Sequence, residues 1–421
     1  MKSRKKVLSW ALYDWANSAF ATTVMAGFFP IFFKQYWCGG VDVSTSTFRL
    51  GMANSIGSLL VIILAPLLGA MGDQAAAKKK FLFFFTLLGA SMTGSLYQVG
   101  QGNWSMAAAL YIFGIIGFSG GNIFYDSLLV SVAPAGESDR VSALGFSLGY
   151  LGGGLLFAFN VLMTQQPALF GLASSAAAVR LSFISVALWW LLFSLPLLFF
   201  VPEPPSPAPR GGGSLLAGFG QLKETFAEIR QLRVVFCFLI AYWLYIDGLD
   251  TIIRMAVDYG LALGFASSGL ILALLITQFV GFPAAIVFGR LGERWGTKRT
   301  ILAGLGIYLL VTVWAMFMES ITEFYLLAAA IGLAQGGVQA LSRSLYSRLI
   351  PANKAGEFFG FYNMLGKFAA VIGPLLMGLI SLLTGNPRLS LLAVIFLLVS
   401  GGILLCFVDE EKGAALAKKM A

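Results

Sequence analysis

The chain has 421 residues, of which 58% are hydrophobic and only 11% are charged. A soluble domain carries about 25% charged residues, so this composition excludes a soluble protein and predicts an integral membrane protein with many spans. The net charge of +9 does not indicate a nucleic-acid partner, because the basic residues lie in short clusters between apolar segments and form no single patch.

The sequence contains no histidine. This excludes Ser-His-Asp and Cys-His catalysis, zincin motifs, ordinary haem ligation and a histidine proton relay. The cysteines Cys38, Cys237 and Cys406 are scattered and predict neither a disulfide framework nor a metal site. We therefore expect a protein that is not an enzyme, with no catalytic residue, no metal and no cofactor.

Apolar runs separated by short breaks predict twelve membrane-spanning helices. A span needs about 20 apolar residues to cross a hydrocarbon core roughly 30 Å thick. The N-terminal MKSRKK resembles the start of a signal peptide, but Asp14 and the lack of an A-x-A cleavage site predict a retained first span. The predicted spans are 9–37, 48–71, 81–100, 104–133, 140–163, 180–201, 233–257, 266–290, 300–318, 322–350, 357–383 and 388–408.

Alternate breaks between these spans hold the basic residues. By the positive-inside rule these breaks face the cytoplasm, and an even number of spans then places both termini there as well. We expect a multi-pass protein of the bacterial inner membrane, monomeric because its loops are short. The basic breaks are the N-terminus, Lys78 to Lys80, Arg140, Arg210 to Arg233, Arg290 to Arg299, Arg343 to Lys354 and Lys412 to Lys419.

A proline- and glycine-rich segment, PEPPSPAPRGGG, follows the sixth span and is not expected to be helical. After it, LLAGFGQLKETFAEIRQLR mixes apolar and charged residues and predicts a cytoplasmic amphipathic helix on the membrane surface. The predicted domains are an N-terminal six-helix bundle at 1–201, a cytoplasmic linker at 202–232 and a C-terminal six-helix bundle at 233–421.

Polar motifs of the first half recur in the second half. Several matches in the same order favour a true repeat, with small loop insertions changing the offset between copies. Two parallel six-helix repeats about an axis along the membrane normal describe the major facilitator architecture. The matched pairs are Asp14-x-x-Asn17-Ser18 with Asp247-x-x-Asp250-Thr251, Gly69-x-x-x-Asp73 with Gly289-x-x-x-Glu293, Asp126-Ser127 with Arg343-Ser344, and Gly149 with Gly366.

Ionisable side chains occur inside several predicted spans, although each costs about 2.5–3.5 kcal/mol at the centre of a membrane helix. Helical spacing places them on single faces of spans 1, 4, 7, 10 and 11, as in a water-filled pathway that accepts a substrate. The alternative for any one residue is a structural pair that locks helices together, such as Asp126 with Arg343. The predicted substrate-binding and coupling residues are Asp14, Asn17, Asn122, Asp126, Asp247, Asp250, Gln339, Arg343, Asn363 and Lys367.

Two loops on the predicted cytoplasmic side, GAMGDQAAAKKK (69–80) and GRLGERWGTKR (289–299), each combine a glycine, an acid and a basic run. The glycine permits close approach of two helices, and the acid can face a helix N-terminus or a cation. An ordinary positive-inside loop would explain the basic residues but not the repeated spacing of glycine and acid. The predicted gating residues are Gly69, Asp73, Gly289, Glu293 and Arg294.

The G-x-x-x-acid loops resemble the signature loops of the major facilitator superfamily, although the first copy is degenerate after Asp73. More narrowly, DWANSAF (14–20), GGVQALSRSLYSRLIP (336–351) and EFFGFYNMLGKFAAVIGPLL (357–376) resemble the "unknown major facilitator" family. That family includes bacterial permeases and the yeast vacuolar amino-acid effluxer linked to autophagy. The resemblance runs from the first to the twelfth span and implies the fold and an amino-acid-like cargo.

These features predict a secondary transporter of a small polar or zwitterionic solute, working by alternating access and coupled to protons through Asp247 or Asp250. The stretch GYLGGGLLF lacks the proline of a drug-exporter Gly-Pro-Gly-Gly motif, which lowers the case for an exporter of drugs or other organic ions. A receptor or scaffold on a transporter fold remains a further alternative. The expected partners are the solute, protons and the lipid bilayer.

Overall fold

The computed structural model describes residues 2–74, 77–203 and 224–420. These residues are helical apart from short turns, and no β-strand occurs among them. The principal helices are α1 (Lys2–Ala19), α2 (Val43–Gln74), α3 (Lys78–Ser95), α4 (Trp104–Val132), α5 (Ser138–Gln165), α6 (Ser175–Phe200), α7 (Arg233–Ala262), α8 (Ser267–Trp295), α9 (Thr297–Ala315), α10 (Ile321–Leu349), α11 (Ala355–Thr384), α12 (Leu391–Cys406) and α13 (Glu410–Met420).

The first span changes its helical geometry partway along. Helix α1 continues as a π-helix over Phe20–Phe28, returns to α over Phe29–Phe32 and becomes π-helical again over Phe33–Trp37. Pro30 lies at the centre of this stretch, where it removes one backbone donor and clashes with the carbonyl four residues earlier. Such π-helical insertions are frequent at functional sites.

Eleven helices within the described residues are long and apolar enough to cross a membrane. Helix α3 does not meet the same description, because its 18 residues begin with Lys78, Lys79 and Lys80. It nevertheless packs along α4 and α6 in the position of the third predicted span. Twelve spans therefore stay a prediction, whereas the all-helical, multi-pass character is confirmed.

The buried hydrophobic residues form two large clusters. One extends from Trp10 to Val201 and the other from Ile229 to Val408. The predicted linker helix covers 215–233, and its part before residue 224 lies outside the described residues; residues 224–231 are helical, and Ile229 joins the second cluster. Helices α1–α6 and helices α7–α12 thus each surround a core of their own, and we call these two units the first and second halves.

The two halves meet along helix pairs that occupy corresponding places in the repeat. Helix α2 packs against α11, and α5 packs against α8 and α10. Glycine allows the closest approach: a Cβ atom added at Gly69 would collide with the backbone of Gly356, and one at Gly289 would lie 2.5 Å from the Ala143 Cβ. The glycines of both predicted gating loops therefore lie where the halves touch.

Both chain ends lie on one side of the helix bundle. Lys6 of α1 donates a hydrogen bond to the Ser131 carbonyl near the end of α4. On the same side Arg348, near the end of α10, contacts Asp139 at the start of α5 and Glu410 at the start of α13. We call this side the terminal side.

Candidate functional site

A buried ion cluster joins the two halves at Arg343 of α10. The Arg343 Nη2 atom lies 3.2 Å from Asp14 Oδ2 on α1, and Nη1 lies 3.1 Å from Asp126 Oδ1 on α4. The three side chains are 4%, 12% and 10% exposed respectively. One guanidinium of the second half is therefore held by two carboxylates of the first half, and the trio carries a formal charge of −1.

The remaining surface of the guanidinium is also occupied. Its Nε donates to the Ser142 hydroxyl at 2.9 Å, and its Nη2 donates to the Ser142 carbonyl at 3.0 Å. Aromatic rings of Trp10, Tyr125 and Phe146 lie 5.0, 5.2 and 4.4 Å from the Arg343 Cζ atom. Arginine is suited to this site because its planar fork of five N–H donors binds several acceptors at once and stacks on rings.

Two neutral side chains complete the coordination of the carboxylates. The Tyr125 hydroxyl donates to Asp14 Oδ2 at 2.7 Å, and the Asn363 amide of α11 donates to Asp126 Oδ2 at 3.1 Å. Trp10 positions Tyr125, because the two rings stack with centroids 4.4 Å apart and the indole N–H donates to the Tyr125 carbonyl. Buried charges need such additional hydrogen bonds to offset their desolvation.

Amide side chains extend the polar surface away from the terminal side. Asn17 donates to Asn122 at 2.6 Å, one helical turn beyond the carboxylates of α1 and α4. Further along α1, in its π-helical part, Thr22 accepts a hydrogen bond at 3.0 Å from Gln278 of α8. Like the Arg343 cluster, the contact between Thr22 and Gln278 joins the two halves.

Asp247 lies in a separate environment. Its side chain is buried and accepts hydrogen bonds from the Gly373 N–H at 2.8 Å and from Thr251 at 3.4 Å. Gly373 directly precedes Pro374, which gives α11 one backbone donor fewer at this point. Asp247 therefore connects α7 to α11 beside this proline. Asp250 is half-buried and lies within electrostatic range of Tyr150, which extends from α5 of the first half.

The last two predicted site residues are half-buried near the cluster. Gln339 lies one turn before Arg343 on α10, and Lys367 lies one turn after Asn363 on α11. The Lys367 Nζ atom is 5.9 Å from the centroid of the Phe118 ring. The structure thus brings Asp14, Asp126, Arg343 and Asn363 into direct contact. Asn17, Asn122, Gln339 and Lys367 lie within about one helical turn of these residues along their helices, whereas Asp247 and Asp250 lie apart on α7.

On the terminal side, Asp73 connects α2 to the start of α11. Its carboxylate lies 2.7 Å from Lys78 Nζ and accepts a hydrogen bond at 2.8 Å from the Glu357 N–H. Glu357 is in the first turn of α11, where free N–H groups and the helix dipole favour a negative charge. Glu357 in turn accepts a hydrogen bond from Thr225 in the linker.

The second predicted gating loop has a different arrangement. Glu293 and Arg294 are exposed at the end of α8, and the buried acid at this contact is Asp139 of α5. A Cβ atom added at Gly292 would lie 2.9 Å from the Asp139 carboxylate, so Gly292 faces α5. Glu293 is about 100° further around the helix and is turned towards solvent.

Asp139 binds three residues of the second half. It accepts hydrogen bonds from Thr297 at 2.6 Å, Ser344 at 2.5 Å and Arg348 at 3.1 Å. Its partners come from the start of α9 and the end of α10. The carboxylate therefore holds the start of α5 against two helices of the other half.

Residues 36–134 and 130–418 match the family described as "Vacuole effluxer Atg22 like". The chain belongs to this Atg22-like family. It is 39% identical to the MFS-type transporter YxiO of Bacillus subtilis (strain 168), over 99% of this chain and 97% of that protein. It is also 23% identical to Autophagy-related protein 22 of Saccharomyces cerevisiae (strain YJM789), over 100% and 94% of the two chains. The resemblance found in the sequence is confirmed.

The fold of this Atg22-like protein is that of the major facilitator superfamily. It superposes on the proton:xylose symporter XylE with a TM-score of 0.71, covering 98% of this chain and 96% of that one at 16% identity. Together with the family membership, this makes the protein an integral multi-pass membrane transporter and not an enzyme.

Several residues of the candidate site in this Atg22-like protein were not predicted from the sequence. Ser142 and Tyr125 resemble ordinary helix residues, and nothing in their spacing distinguishes them. Asp139 did carry a signal, because it lies 218 residues before Glu357 and both are acids in the first turn of a helix. An acid in the first turn is also common as a simple stabiliser of the helix dipole, so the signal was ambiguous.

Proposed function

We propose that the protein is a secondary active transporter that moves a small polar or zwitterionic solute, with an amino-acid-like cargo favoured, by alternating access. The buried cluster of Arg343 with Asp14 and Asp126 carries this proposal. A zwitterion has both charges that the cluster contains, and intramembrane ion pairs commonly mark the path of a substrate or ion.

The cluster suggests how cargo binding is linked to movement of the halves. A cargo carboxylate competes with Asp14 and Asp126 for Arg343. The carboxylates that it displaces then attract the ammonium group of the cargo. Since Arg343 belongs to one half and both acids to the other, exchanging these pairs loosens the contact between halves. A ligand moves such an equilibrium only by its differential affinity for the two states.

Proton coupling is assigned to Asp247 and Asp250 on α7. Asp247 is buried against α11, and Asp250 lies within electrostatic range of Tyr150 from the first half. A proton on Asp250 removes a charge that faces the first half, and a proton on Asp247 removes a charge between α7 and α11 within the second half. The proton-linked transport named for the structural neighbour XylE is consistent with proton coupling on this fold.

Uptake of labelled amino acids into proteoliposomes, with and without an imposed pH gradient, tests the proposed function. We expect gradient-stimulated accumulation of at least one member of the panel. Asp247→Asn combined with Asp250→Asn is expected to abolish the stimulation and to leave a folded protein, because asparagine keeps the size and the acceptor oxygen of each side chain. No accumulation of any amino acid would contradict the amino-acid assignment.

The matched control for this pair is Asp42→Asn. Asp42 is exposed in the loop before α2 and accepts a hydrogen bond from the Thr45 N–H at 2.8 Å, which asparagine can also accept. Its variant should keep full stimulation by the pH gradient. If the pH gradient still stimulated uptake fully in the Asp247→Asn, Asp250→Asn variant, the coupling role of these residues would be contradicted. The proposal that the protein is a transporter would still stand.

The terminal side is proposed to face the cytoplasm of a bacterium, with the protein monomeric in the inner membrane. The basic residues Lys5, Lys298 and Arg348 lie on this side, as the positive-inside rule requires. Cys406 is exposed at the end of α12 and reports the orientation. A membrane-impermeant maleimide should label it in inverted vesicles and not in intact cells, and the reverse pattern would overturn the orientation.

A further inference from the structure

Arg348 at the terminal end of α10 has two carboxylate partners from different halves. Its Nη1 atom lies 3.1 Å from Asp139 of α5, and its Nη2 atom lies 3.5 Å from Glu410 of α13. The Arg348 and Glu410 side chains are about one-third exposed, whereas Asp139 is buried. One partner belongs to the opposite half and the other follows the last helix of the same half.

Separation of the halves on the terminal side would affect the two contacts differently. Asp139 would lose its contacts with Arg348, Thr297 and Ser344 at the same time, because all three residues belong to the second half. The freed carboxylate would remain at the first turn of α5, where the helix N-terminus and water stabilise it. Arg348 would keep Glu410.

Glu410 is also attached to its own half independently of Arg348. Its Oε1 atom accepts a hydrogen bond at 2.9 Å from the Lys298 N–H in the first turn of α9. Helix α13 packs on α10 and α7 through Gly413, where an added Cβ atom would lie 2.9 Å from Val234. These contacts hold the Glu410 carboxylate beside Arg348 whichever position the first half takes.

We propose that Glu410 is a positioning residue of the transport cycle, which holds Arg348 when Asp139 departs and so favours the state open on the terminal side. The proposal rests on the alternating access argued above. In the closed state Glu410 shares Arg348 with Asp139, and the two carboxylates repel each other. In the open state Glu410 is the carboxylate that remains with Arg348. Removing its charge therefore costs more in the open state and favours closure.

The contact between α2 and α11 follows the same plan. Asp73 pairs with Lys78 of its own half and accepts the Glu357 N–H of the other half. When the halves separate, Lys78 keeps the Asp73 carboxylate just as Glu410 keeps Arg348. Each of these two contacts between the halves thus contains a charged side chain that bonds to the opposite half. Each also contains a partner in the same half that keeps this side chain paired after the halves separate.

The test measures the gap between the halves by double electron–electron resonance. Spin labels are placed at Ala135 before α5 and at Arg290 of α8, both exposed, in protein whose three cysteines are replaced by alanine. The measurement is made in nanodiscs without cargo. Glu410→Gln should raise the ratio of the short-distance to the long-distance population about two- to fivefold, as expected for a partly exposed ion pair. Asp139→Asn should change this ratio in the opposite direction.

Glutamine at 410 keeps the oxygen that accepts the Lys298 N–H, so α9 stays capped and the variant should unfold at the parent temperature. The matched control is Glu411→Gln, the exposed neighbouring acid of α13, which should leave the ratio unchanged. A larger long-distance population in Glu410→Gln would overturn the proposal. The proposal would also be overturned if Glu410→Gln changed the ratio no more than Glu411→Gln does, while Asp139→Asn changed it as expected. One fixed distance in every variant would overturn the alternating access on which it rests.

Discussion

Arg343→Gln is expected to abolish transport and to lower the free energy of unfolding by about 3–5 kcal/mol, the usual cost of removing one partner from a buried ion pair. The reason is that Asp14 and Asp126 would remain buried without their cation. Uptake into proteoliposomes and thermal unfolding in detergent measure the two effects. The exposed Arg290→Gln is the matched control and should change neither.

Removing all three charges of this cluster separates stability from function. The triple variant Asp14→Asn, Asp126→Asn and Arg343→Gln leaves a neutral hydrogen-bonded group, and replacing a whole buried ion cluster is often close to neutral for stability. We expect most of the lost stability to return while transport stays absent. Native stability in the single Arg343→Gln variant would show that the cluster is not the buried, coupled unit described here.

Gly69→Leu is expected to reduce transport at least fivefold without preventing folding. Leucine at 69 collides with the backbone of Gly356 only when α2 and α11 are in contact. Overpacking of this kind costs roughly 1–3 kcal/mol, which shifts an equilibrium about 5- to 150-fold, here away from the closed terminal side. Solute uptake and the accessibility of the Asp73 region to a membrane-impermeant reagent, after Asp73→Cys, measure the shift.

Gly51→Leu provides the control on the same helix. An added Cβ atom at Gly51 meets no atom within 4 Å, so this substitution should leave transport and accessibility unchanged. Equal losses in both variants would indicate that a larger residue anywhere in α2 disturbs insertion. Wild-type transport by Gly69→Leu would mean that the observed approach of α2 to α11 is not a step of the cycle.

The sequence carried most of the information about the helices and part of the information about the site. The predicted first span, 9–37, corresponds to a helical run that ends at Trp37, and the predicted tenth span, 322–350, corresponds to α10. The repeat also aligned Asp126 with Arg343, and the structure shows that these two residues contact each other. A repeat places matched residues at equal depths, so opposite charges at such positions are natural partners.

Other contacts could not be obtained from the repeat. Asp14 and Asp247 occupy matched positions, yet Asp14 binds Arg343 while Asp247 binds the backbone of α11 at Gly373. Similarly, the buried acid where α5 approaches α8 is Asp139, which binds Arg348 of α10, and not Glu293. A rotation of one residue, about 100° around the helix, decides which acid faces the neighbouring helix, and spacing alone does not reveal that rotation.

The sequence by itself determined the membrane class, the order of the helices, the family and the set of polar side chains that must avoid lipid. These are local properties, because hydropathy, turn residues and charge clusters act within one segment of chain. Only the tertiary structure decided which polar residues became partners. Those choices depend on the packing of separate helices at their glycines, where a buried charge must find acceptors or donors from elements far apart in the chain.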